Sequence, residues 1–160
     1  MEIIYLEPED IELLHDKAIE LHGGLPGRPP YKLEGLLSIP LSGFGDYEHY
    51  PTIIEKAAVY HYHLASGHAF LDGNKRTSFL AMFTFLDWNG YELYVDPHEV
   101  FLWTLEIAQD KEKRPPFEDA VVWLERYTNK VGEEPGALSS RSLKNSKVDI
   151  TAILKSFTNQ

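Results

Sequence analysis

Apolar positions recur at helical spacing along most of the chain. Ile11, Leu14, Ala18 and Leu21 form one stripe, and Ile53, Ala57, Tyr60 and Leu64 form another; each is the pattern of a helix with one buried face. Pro8-Glu9-Asp10 opens the first helix, proline suiting the first turn and the acids the positive end of the dipole, and Gly23-Gly24 closes it. A short helix is expected from Tyr31 to Leu37. Thr52, with Glu55 three residues on, forms a capping box for a helix through Ser66. The next helix is expected from a cap at Asn74 to Trp88. Its residues Phe79, Leu80, Met82, Phe83, Phe85 and Leu86 leave almost no polar face, which places it in the middle of a bundle. Asn89-Gly90 stops it. Two further helices are read over 97–109 and 117–130, and short strands over Ile3–Leu6 and Tyr91–Val95. The pattern predicts an all-α helical bundle around a central buried helix, with at most a minor β element.

Two segments stand apart from that pattern. Between Pro40 and Pro51 lie two glycines and three aromatics, in a run that includes Ser42-Gly43-Phe44-Gly45-Asp46. Such a loop is either a mobile flap or a surface turn whose rings pack on their neighbours. Glu133 to Gln160 carries four basic and three acidic residues, and its serines at 139, 140, 142 and 146 resemble a linker. Ile150, Ile153, Leu154 and Phe157 then suggest a short amphipathic helix. It either packs on its own domain or binds a groove on this chain or another. The expected division is a body over residues 1–131 and an extension over 132–160.

Composition narrows the chemistry. At 160 residues and 43% hydrophobic, the chain fits one ordinary domain with a real core. Its lack of cysteine removes disulfides, thiolate zinc sites and cysteine nucleophiles. Fifteen Lys and Arg against 25 Asp and Glu give a net charge of −10, which argues against nucleic acid or an anionic membrane as the main partner. The N-terminus has no basic segment followed by an apolar run, and the stretch Phe79 to Trp88 is about half the length that spans a bilayer. A cytoplasmic protein is expected. Any phosphate site must be a local pocket of positive potential in a negative field.

One segment offers such a pocket. His68-Ala69-Phe70-Leu71-Asp72-Gly73-Asn74-Lys75-Arg76-Thr77 is a short turn that delivers polar groups to the start of the buried helix. The free N–H groups there and the helix dipole attract anions, and Lys75 and Arg76 reinforce them. Asp72 suits such a place if it carries a divalent cation, and His68 can accept a proton near neutral pH. These are the parts of a phosphoryl-transfer centre. Each also has a plainer reading: a capping histidine, an aspartate paired with Arg76, an asparagine cap.

The segment His68-x-Phe70-x-Asp72-x-Asn74-Lys75-Arg76-Thr77 resembles the signature loop of the Fic/Doc superfamily, and Lys75 resembles the Doc (death-on-curing) branch in particular. Leu14-His15-Asp16 with the turn Gly23-Gly24-Leu25-Pro26-Gly27, and Phe85-Leu86-Asp87-Trp88-Asn89-Gly90-Tyr91, are similar to the same branch. The resemblance implies a Fic-type helical fold and the toxin of a type II toxin–antitoxin pair. It implies a kinase that uses ATP and Mg²⁺ to phosphorylate a threonine or serine of elongation factor Tu, inhibiting translation. Under it His68 is the general base, Asp72 positions Mg²⁺, and Phe70 anchors the loop. Catalysis falls to His68, Asp72, Lys75 and Arg76; nucleotide binding falls to Gly73, Asn74, Lys75, Arg76 and Thr77. Ser42, Gly43, Phe44, Gly45 and Asp46 belong to the target-docking flap. The expected partners are a protein substrate and a cognate antitoxin, with no direct nucleic acid and no membrane.

Departures from the pattern matter. Arg28 is followed by Pro29-Pro30, where the branch usually continues Arg-Asp, and the inhibitory motif of self-restrained Fic proteins is missing. Two alternatives remain. A Fic-type AMP transferase would transfer the α-phosphate with its nucleoside; Fic proper has a glycine at the position of Lys75. An HD-type metal-dependent phosphohydrolase would use His15-Asp16 with His61, His63 or His68.

Overall fold

The structure is a computed structural model and describes residues 2–133 and 148–158; the serine-rich linker lies outside the described residues. Helix α1 spans Pro8–His22, α2 Lys32–Leu37, α3 Ile53–Ser66, α4 Asn74–Trp88, α5 Pro97–Ile107, α6 Phe117–Tyr127, and α7 Ile150–Thr158. A 3₁₀ turn covers Ile39–Leu41. The all-α expectation holds, the β content of the described residues being two small antiparallel pairs.

Helices α3 and α4 form the centre and share the most extensive interface in the molecule. Thr52 and Glu55 make both bonds of the capping box that starts α3. Phe79, Ala81, Met82 and Phe85 of α4 are fully buried. Helix α1 crosses α4, α6 packs on α3, and α7 lies mainly on α5 with further contacts to α1 and α4. Ile153, Leu154 and Phe157 of α7 are buried, and the Phe157 ring stands 5.5 Å from that of Phe101. Of the two readings of this helix, packing on its own domain is the one observed.

Three local expectations are corrected. The segment Ile3–Leu6 is extended but pairs with no strand among the described residues: Ile4 N–H donates to Asn89 Oδ1, Asn89 Nδ2 donates back to the Ile4 carbonyl, and Leu6 N–H donates to the Tyr60 hydroxyl. Side chains there satisfy a backbone that would otherwise seek a ladder. The helix expected over 117–130 ends at Tyr127, and Thr128–Lys130 becomes a strand (β4) paired with Tyr91–Leu93 (β3), Glu92 opposite Asn129. Thr128 and Asn129 are poor helix formers, and the free edge of β3 offers them partners. Gly73, not Asn74, is the N-cap of α4; it sits at φ +76, a left-handed conformation that glycine adopts without steric cost.

The core carries a titration. His61 on α3 is 2% exposed, with Nε2 2.9 Å from Thr104 Oγ1. Burial penalises the imidazolium and pushes His61 from 6.5 down to about 3. The unfolded chain therefore takes up this proton first as pH falls, so stability drops from about pH 6.5 toward 3 by up to about 1.4 kcal/mol per pH unit. Burial also lowers His63, in the same sense. Urea unfolding at pH 7 and pH 5 should differ by about 2 kcal/mol, and His61→Gln should remove most of that difference. An equal loss in the variant would assign the acid sensitivity elsewhere.

Candidate active site

The loop from His68 to Gly73 joins the two central helices and is fastened at five points. Asn74 clamps it from within, its Oδ1 accepting from Phe70 N–H (3.0 Å) and its Nδ2 donating to the Phe70 carbonyl (2.9 Å). Phe70 is buried, and its ring stacks on that of His15 at 3.8 Å, tilted by 8°. His15 Nε2 lies 2.7 Å from the Asp72 carbonyl; a carbonyl only accepts, so this nitrogen carries the proton. Leu71 N–H donates to the Gly27 carbonyl, and Leu25 N–H donates to Asp72 Oδ2 at 3.0 Å. The glycine turn after α1 is thus laced to the loop before α4.

That lacing holds His68 in an unusual state. Its backbone sits at φ +52, the left-handed region, at a cost of about 1–3 kcal/mol that persists only where the surroundings fix it. The side chain is exposed, makes no hydrogen bond among the described residues, and lines a hollow of about 190 Å³. Leu71, Asp72, Gly73, Asn74, Lys75 and Arg76 also line this hollow.

No side chain caps the start of α4, so its first N–H groups remain available at the positive end of the dipole. Lys75 is partly exposed and has no bonded partner among the described residues. Arg76 is 6% exposed and donates from Nη1 to the Ala18 carbonyl at 3.2 Å. The result is two cations at the start of a buried helix, one without a side-chain partner among the described residues and one braced.

Asp72 is held more tightly than its spacing suggests. Oδ2 accepts from Leu25 and Oδ1 from Gly73 N–H at 2.8 Å. Those two backbone donors, Leu25 first, lower its carboxyl below the ordinary aspartate value, with smaller help from Arg76 and His15. The main chain therefore already compensates this charge. Each oxygen keeps a lone pair, so Asp72 fits Mg²⁺ as a single carboxylate ligand, water and phosphate oxygens filling the remaining positions. Among the described residues, no cluster of three His, Asp or Glu side chains could hold a metal unaided.

A model of the Fic/DOC family matches residues 5–86, which include the glycine turn, the loop and nearly all of the central helix pair. The chain belongs to the Fic/DOC family. It is 34% identical over 94 residues to "Protein kinase doc" of Escherichia phage P1, across 58% of this chain and 74% of that one. It is 37% identical over 92 residues to "Toxin Doc" of Mycolicibacterium smegmatis (strain ATCC 700084 / mc(2)155), across 58% of this chain and 69% of that one. Within the family it stands with the Doc branch.

Measured against the Doc-like expectation, the loop residues separate into two groups. His68, Asp72, Lys75 and Arg76 come together on the hollow. Asn74 also lines it, its side-chain amide being bonded to Phe70. Gly73 permits the turn. Thr77 is 1% exposed, lies outside the lining, and its Oγ1 is buried without a partner, so its hydroxyl is out of reach of anything in the hollow. The histidines of the phosphohydrolase alternative are dispersed: His61 is bonded to Thr104 in the core, and His15 is bound to the loop.

The segment expected to form the flap is a hairpin. Strands Gly43–Phe44 and Tyr47–Glu48 pair antiparallel, leaving Phe44 75% and Tyr47 55% exposed. Lys56 on α3, fully buried, anchors it by donating to the carbonyls of Pro40 and Tyr50 and to Glu48 Oε1. Sequence reading missed Lys56 because it falls among the apolar residues of α3 with no acid at helical spacing on the buried side. His15 had a visible signal, since it sits on the buried stripe between Ile11 and Ala18. Arg28 had none: it bridges Glu12 at 2.6 Å and Glu34 at 2.7 Å, tying α1, the glycine turn and α2 together. Those acids hold the guanidinium above its ordinary value, and Arg28 holds Glu34 below its own.

Among the described residues no helix is long and apolar enough to cross a membrane.

Proposed function

We propose that this chain is a Doc-type toxin acting in the cytoplasm as a protein kinase. It takes the γ-phosphoryl group of ATP and transfers it to a serine or threonine hydroxyl of a translation factor, elongation factor Tu, under the control of a cognate antitoxin. The observation that carries the reading is an exposed, unbonded imidazole fixed on the rim of a cationic hollow at an uncapped helix start. His68 accepts the proton of the acceptor hydroxyl. The N–H groups of α4, Lys75 and Arg76 hold the phosphate oxygens and balance the charge that builds on them during transfer. When bound, Mg²⁺ would neutralise phosphate charge, and Asp72 would hold it. The flap presents Phe44 and Tyr47 to the acceptor protein.

Lys75 favours phosphoryl over AMP transfer. A glycine at this place leaves room for the α-phosphate, whereas a lysine fills or recharges that space, and the nucleotide enters with its γ-phosphate toward His68. Incubation with elongation factor Tu and ATP labelled at either phosphate tests this directly. Label should reach the acceptor from the γ-position only. Label arriving from the α-position would make the chain an AMP transferase.

A further inference from the structure

The hollow has two unlike walls. One is the loop and the first turn of α4, polar and cationic. The other consists of Ala65, Ala108 and Phe157. These three lie at or near the C-terminal ends of α3, α5 and α7, Ala108 being the residue that caps α5.

That placement has an electrostatic consequence. Helix C-termini carry partial negative charge, the reverse of the start of α4. Three such ends meeting at one wall repel phosphate. They tolerate a neutral, flat, apolar group. A nucleobase has that character. Phe157 is 7% exposed and is one of the residues that line the hollow. It also lies beyond the residues matched by the family model, which end at 86.

We propose that Ala65, Ala108 and Phe157 form the subsite for the nucleobase, so that the C-terminal helix α7 is part of the nucleotide site. This rests on the hollow taking a nucleotide. The small exposed area of Phe157 sets the expected effect at the low end of base–aromatic contacts, about fivefold in affinity. A larger side chain at Ala108 should act more strongly by filling the subsite, weakening the nucleotide about tenfold or more.

Calorimetric titration of the full chain with a non-hydrolysable ATP analogue and, separately, with inorganic tripolyphosphate tests the proposal. Phe157→Leu keeps apolar bulk against Phe101, and Ala108→Leu provides a second variant at a helix end. Both should weaken the ATP analogue by these factors and change tripolyphosphate binding less than about twofold, with melting temperatures near that of the parent. Equal loss for both ligands, or no change for either, would overturn the subsite. So would a parent chain that binds tripolyphosphate as tightly as the ATP analogue, although the anion site would then stand. A parent chain that binds neither ligand would remove the nucleotide reading and the subsite with it.

Discussion

Replacing His68 by alanine is expected to slow phosphoryl transfer by about 10²–10⁴-fold, the usual contribution of a positioned general base. The physical case is that this side chain does little else. It is exposed, bonds to nothing among the described residues, and stands on a loop whose bonds come from His15, Leu25, Gly27, Phe70 and Asn74. The variant should therefore melt within a few degrees of the parent and bind the ATP analogue within about twofold, since Lys75, Arg76 and the α4 N–H groups remain. In cells, growth arrest on expression should disappear. Rates of parent and variant at saturating ATP decide the matter. A loss below tenfold would mean that His68 does not take the proton, and equal toxicity would mean that the loop is not the source of harm.

Gly24→Ala should damage the same site from a distance of 44 residues in sequence. Gly24 has φ +117, a conformation that L side chains rarely adopt. A Cβ there would stand 2.8 Å from Asp72 Oδ2, 2.9 Å from Ile19 Cδ1 and 3.1 Å from an Arg76 guanidinium nitrogen. The methyl group fits only if those side-chain ends give way or the turn moves off the loop. Either shift disturbs the bond from Leu25 to Asp72 and the position of Arg76. The backbone strain and clash together should cost about 1–3 kcal/mol of stability. A shift of about 1 Å in the catalytic groups can cost 10²-fold in rate, so activity should fall much further than the melting curve suggests. Denaturant unfolding beside a transfer assay separates the two effects. Transfer within a few-fold of the parent would show that the lacing is dispensable.

The comparison of these two residues shows what the chain makes legible. His68 belongs to a run of chemistry-bearing residues that ends at a helix start, and local physics is enough to group them. Gly24 reads as the end of α1, which is correct, but its second task depends on a close approach across the fold. No periodicity encodes that. The helices α1 and α3 were readable because their apolar spacing and end signals agree, and α4 because its apolar run is nearly unbroken, although its cap is Gly73 and not Asn74. Strand β4 was not, because Thr128-Asn129-Lys130 has no alternation and becomes a strand only when β3 is beside it. Lys56 and Arg28 were missed for the same kind of reason, their partners lying on other elements. At Asp72 the sequence supplied the charge and left open what compensates it; the fold adds two backbone donors.

The account turns on a cationic hollow beside one free imidazole in a molecule whose net charge is −10. The most direct measurement follows the histidine ring resonances of the full chain while inorganic tripolyphosphate is added. The His68 resonances should move in a saturable way, those of His61, buried against Thr104, should stay in place, and Lys75→Met should weaken the response. Movement of neither ring, or equal small movement of every exposed histidine, would contradict the anion site on which the proposed chemistry depends.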